Sequence, residues 1–140
     1  MYATIDDMIT RFGENELVQL TDRGGHDQID VSILNTALMD ASDEIDMYLG
    51  SKYILPIKFI DDIIPKILLR LCCDITRYRL YDDKVIDEVR TRYESAISLL
   101  NQFKNNELIL PNIDDLLTKI NTKSQFFLVE EKESVFGDDF

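Results

Sequence analysis

Between Leu38 and Tyr81 the chain reads LMDASDEIDMYLGSKYILPIKFIDDIIPKILLRLCCDITRYRLY. Apolar residues recur at helical spacing up to Gly50 and again after Pro65, and between them lies a segment too apolar to float as a free loop. A chain built this way must pack helix against helix and fold the connection back across them. In the first run, Asp30 is placed to cap a helix that ends at Gly50, with Leu34, Ala37, Leu38, Ala41, Ile45, Tyr48 and Leu49 as its buried stripe. Pro56 and Pro65 hold Leu55 and Ile64 in extended geometry, and Pro65 is tolerated in the first turn of the next helix. That helix is predicted over 65–80, with Ile67, Leu68, Leu71, Ile75 and Tyr78 in period. A third is predicted over 84–105 behind an Asp82-Asp83 cap, lined by Val85, Val89, Tyr93, Ala96, Ile97, Leu100 and Phe103. The short turn between these two makes them antiparallel neighbours.

Upstream, Thr4 suits the start and Gly13 the end of a short helix with Ile5, Met8, Ile9 and Phe12 on one face. A second short helix, from Glu14 to about Leu20, turns Leu17, Val18 and Leu20 inward, and residues 21–27 form a loop by composition. The expected fold is all-α: a small bundle of three main helices with short N-terminal helices, an extended apolar connection and a C-terminal arm. The division expected is a helical connector-type domain over 1–107 and an arm over 108–140 that docks on a partner or neighbour. Within the arm, Asn112 is placed to cap a brief helix through Ile120, and Phe126 to Val129 is strand-like. Phe126, Phe127, Phe136 and Phe140 make the arm too apolar for a purely solubilising tail, and its charges make it unsuited to a core. Together with Tyr53, Ile54, Leu55, Ile57 and Phe59 of the connection they are the candidate interface residues.

The chemistry-bearing residues do not assemble into a catalytic or metal set. One histidine, His26, and the adjacent Cys72-Cys73 fall short of a zinc site, and neighbouring cysteines on a helix point about 100° apart. The expectation for the pair is one buried and one partly exposed thiol. Asp40, Asp43 and Glu44 are expected on one solvated face, with no histidine or apolar pocket beside them to shift a pKa. An enzyme is not expected, and neither is a cofactor. The net charge is −12, but it is uneven: residues 52–93 carry nine basic and seven acidic side chains, whereas residues 1–51 carry two and eleven. Nonspecific DNA binding is therefore not expected, and the charges of the middle segment are expected on ordinary solvated helix faces. No secretory signal and no membrane span is expected.

MYATIDDMITRFGENELVQLTDR, ALMDASDEIDMYLGSKYILP, the helix from Pro65 through CCDITRYRLY, and RTRYESAISLL occur in an order and spacing that resemble one family. It is that of the small head–tail joining (neck, head-completion adaptor) proteins of phage Mu and Mu-like prophages. The resemblance covers about residues 1–107, and SVFGDDF is similar to the family's closing segment. Asn105-Asn106 stand where the family has a glycine, and residues 106–125 are richer in Asn and Asp. The resemblance implies a virion protein at the neck, assembled in the host bacterial cytoplasm. It implies a ring of copies beneath the portal, contacting the portal protein and a tail or tail-terminator protein, with DNA passing through without specific binding. The other class open to such a sequence is an acidic helical interaction or regulatory module, an inhibitor or nucleic-acid mimic.

Overall fold

The computed structural model describes residues 1–114. They form five α-helices and no strand: α1 Ile5–Phe12, α2 Glu14–Thr21, α3 Val31–Leu49, α4 Lys66–Tyr81 and α5 Asp87–Lys104. The all-α bundle with three main helices is the observed architecture.

Local chemistry sets most of the boundaries. Thr4 and Asp7 form a reciprocal capping box at the start of α1. Gly13, at a φ of 87°, both ends α1 and opens α2, a conformation that a Cβ would disfavour. Asp30 accepts from the Ile33 amide and starts α3 where the sequence puts it. Beyond α3, a Cβ on Gly50 would sit 3.1 Å from Leu55 Cδ1, so the glycine admits the returning connection.

One start differs from expectation. Asp82-Asp83 do not cap α5; they form a 3₁₀ turn with Lys84, Asp82 has a φ of 53°, and α5 begins at Asp87 behind Ile86. Val85 and Ile86 are extended, and that spends the residues that would have made the first helical turn.

Helix α4 is the axis of the body, touching each of the other four helices. Leu68, Leu71, Cys72, Cys73 and Ile75 from α4 are buried with Leu34, Leu38, Ile45 and Leu49 of α3 and with Ala96, Leu100 and Phe103 of α5. Helices α4 and α5 run antiparallel, so Arg92 meets Asp74 while Glu88 meets Arg77. Tyr78 and Tyr93 stack across the same seam with ring centroids 3.9 Å apart. Packing onto this body extends past residue 107, to buried Leu110 and to Ile113.

Three expectations about polar residues are corrected. Cys73 is as buried as Cys72, and both are free thiols. Glu44 is not on the solvated face but turned into the seam between α4 and α5. Asp74 and Arg77 of the middle segment are likewise interior, not solvated.

Burial pushes the Cys73 thiol up to about 12, aided by the neighbouring Cys72, and burial raises Cys72 as well. Both are therefore protonated near neutrality, and the thiolate is the reactive form. In native protein the pair should react with an aromatic disulfide reagent more than about a hundredfold more slowly than in denaturant. Fast native labelling of either cysteine would contradict this packing.

Candidate interaction surface

The connection after Gly50 is held from both sides. The Tyr53 amide donates to the Leu49 carbonyl, and Lys52 Nζ donates to the Phe103 carbonyl at the end of α5. Leu55-Pro56 is a cis peptide bond. Further on, the Ile60 amide donates to the Asn112 carbonyl and the Asp114 amide to the Lys58 carbonyl, each at 3.0 Å, pairing Phe59 with Ile113 in an antiparallel bridge. The Asn112 side-chain amide donates to the carbonyls of Ile60 and Ile63 and so clamps the 3₁₀ turn Ile60–Asp62. Asn112 thus acts on the connection; the brief helix expected after it lies outside the described residues.

These anchors sort the apolar residues into two sets. Tyr53, Ile57 and Phe59 face inward, with Tyr53 only 2% exposed and Phe59 edge-on to Tyr2 at 6.4 Å. Ile54 and Leu55 face outward at 53% and 42% exposure, and Ile60 and Ile63 join them at 50% and 60%. Of the candidate interface residues in the connection, Tyr53, Ile57 and Phe59 are therefore part of the chain's own core, and Ile54 and Leu55 are available for contact. Phe126, Phe127, Phe136 and Phe140 lie outside the described residues. Ile60 and Ile63 were missed in the sequence because an irregular segment has no period to say which side chains turn out.

Two polar clusters fasten the helices. In the first, Glu44 accepts from Arg79 with one carboxylate oxygen and from the Tyr93 hydroxyl, at 2.7 Å, with the other. Burial and this hydrogen bond push Tyr93 up to about 12. Burial works against the charge of Arg79, but the Glu44 contact outweighs it and holds Arg79 above its ordinary value. Beside them an open hollow of about 520 Å³ is lined by Asp40, Asp43, Met47 and Lys104. With both oxygens of Glu44 engaged, its arrangement fastens three helices. Nearby, the Tyr2 hydroxyl donates to Asp46, and the Tyr2 amide to Ser42 Oγ at 3.1 Å, tying the N-terminus to α3.

In the second cluster Arg77 grips Glu16 with two bonds, of 2.7 and 3.0 Å, and reaches Glu88 at 3.3 Å. Its guanidinium lies 4.5 Å from the centroid of the Phe12 ring. Asp74 lies 3.9 Å from Arg92; burial raises its pKa, against the pull of Arg92, Arg70, Arg11 and Arg77. Among the described residues no group of His, Cys, Asp and Glu could hold a metal ion, and no helix is long and apolar enough to cross a membrane. What remains exposed and distinctive is the outer side of the connection, where Ile54, Leu55, Ile60 and Ile63 stand with Lys58, Asp61 and Asp62.

Comparison with known proteins gives three matches. Residues 2–127 match the family described as Bacteriophage Mu, Gp36. A protein named Mu-like prophage FluMu protein gp36, from Haemophilus influenzae, is 34% identical over 115 residues, which is 82% of this chain and 79% of its own. Gene product J of Escherichia phage Mu is 28% identical over 107 residues, 76% of this chain and 73% of its own.

Proposed function

The chain belongs to the Bacteriophage Mu Gp36 family, and from that premise we propose that it is a structural protein of the virion. Its role in this reading is head completion: copies form a ring at the vertex, join the portal to the tail and let DNA pass without gripping it. The observation that carries the reading is the family match along residues 2–127, with relatives from a phage and a Mu-like prophage.

The physics supports it in two ways. A closed ring needs two different patches on each copy, one for each neighbour. The apolar outer side of the connection is one such patch, and the acidic outer face of α3, with Asp40 and Asp43 exposed, lies elsewhere on the body. A chain with a net charge of −12 also repels phosphate, which suits the wall of a channel through which DNA slides. The partners in this reading are further copies of the chain, the portal protein and a tail or tail-terminator protein.

Inactivating this gene in its phage should leave DNA-containing heads and complete tails that accumulate unjoined, seen by electron microscopy of the lysate. Complementation with the intact chain should restore joined particles. Normal virions from the inactivated phage would refute the proposal.

A further inference from the structure

The outward side of the connection, Ile54, Leu55, Ile60 and Ile63, is an apolar surface that nothing among the described residues covers. Exposed apolar surface of this kind, gathered on one short segment, marks a contact site. The described chain ends beside it: the amide of Asp114, the last described residue, donates to the Lys58 carbonyl in the middle of the connection. Beyond that point residues 115–140 remain, with Phe126-Phe127-Leu128-Val129 beginning twelve residues past the exit.

Twelve extended residues span up to about 40 Å, and a body of 114 residues is roughly 35 Å across from size scaling. A tether of that length permits a reach of up to about one body diameter from the exit, enough to meet an adjoining copy. Charge does not oppose the contact. Residues 50–63 carry Lys52 and Lys58 against Asp61 and Asp62 and are close to neutral, whereas residues 1–51 carry two basic and eleven acidic side chains. Residues 126–140 carry five carboxylates and one lysine.

We infer that the C-terminal segment of one copy, anchored by Phe126 and Phe127, docks on the Ile54–Ile63 surface of a second copy. The contact is heterologous, arm to patch, so each copy gives one and receives one. The inference rests on the self-associating reading above and names the surfaces that reading leaves open. A few buried rings can dominate the energy of such a contact.

The test uses full-length chains. One variant, Phe126→Ser with Phe127→Ser, disables the arm. The other, Ile54→Asp with Leu55→Asp, disables the patch; Ile60→Asp with Ile63→Asp is an independent second version. All four patch positions are exposed, so thermal melting should match the parent. In sedimentation velocity the parent should associate with rising concentration, while each variant alone should remain monomeric, with association weakened more than tenfold. An equimolar mixture of arm-disabled and patch-disabled chains should form dimers and nothing larger, because that pair retains one intact arm facing one intact patch.

Variants that associate like the parent, in a parent that does associate, would overturn the arm-to-patch contact and leave the self-associating reading standing. A mixture that stays monomeric would overturn it as well, since the two surfaces would then not be partners. A parent that is monomeric at every concentration would remove both this inference and self-association in solution.

Discussion

Replacing Leu71 by alanine lowers the unfolding free energy by about 2–5 kcal/mol, the range for truncating a fully buried leucine. Leu71 is 1% exposed on α4, and α4 touches all four other helices. The cavity left behind would be walled by the helix α4 itself and by core side chains of the helices packed on it. The site can therefore collapse only partly, which places the loss toward the upper end of the range. Urea denaturation followed by far-UV circular dichroism measures it directly. A loss within the ±0.5 kcal/mol or so typical of surface positions would mean that α4 is not the axis of the body.

Arg77→Ala should cost about 2–4 kcal/mol, somewhat below the ~3–5 expected when a fully buried pair is broken. The discount follows from geometry: the Arg77 side chain is 10% exposed and that of Glu16 is 22% exposed, so water can partly re-solvate the carboxylate. The variant loses the bidentate grip on Glu16, the contact with Glu88 and the guanidinium over Phe12, and those contacts hold α1 and α2 against α4 and α5. Arg77→Lys should recover only part of the loss, because an ammonium cannot present two parallel donors to one carboxylate. A double-mutant cycle with Glu16→Gln should return a coupling energy of about 1 kcal/mol or more. A neutral Arg77→Ala would contradict the description of this network as the fastening of the N-terminal helices.

What could be read from the sequence was whatever local chemistry determines. The Thr4 and Asp30 caps, Gly13 and the period of Leu34 to Leu49 give α1 and α3 their bounds, because a cap and its helix lie within a few residues. Even the return of the connection across the bundle followed from its apolarity. The destination of Glu44 could not be read, because its partners Arg79 and Tyr93 are 35 and 49 residues away. Arg77 and Glu16 are 61 apart, so in the sequence both resemble charges on solvated faces. Val85 and Ile86 fit a helical stripe in sequence, yet Asp82 at positive φ turns the chain and leaves both extended ahead of α5. Along the connection the sequence did not tell the outward residues from the inward ones. Ile54 and Ile57 are the same residue type, and the bridge to Ile113 and the Asn112 clamp, from more than 45 residues on, help fix which way the segment turns.

In the proposed role this protein, whose described residues form five α-helices, sits as a ring between the portal and the tail. Electron cryomicroscopy of intact virions from the phage that encodes it, with the neck reconstructed at side-chain resolution, tests it most directly. A ring of copies should stand at that level, recognisable by the stacked Tyr78–Tyr93 pair and the α4–α5 seam, with the connection after α3 at the contact between neighbours. A complete neck in which no density fits this fold would contradict it.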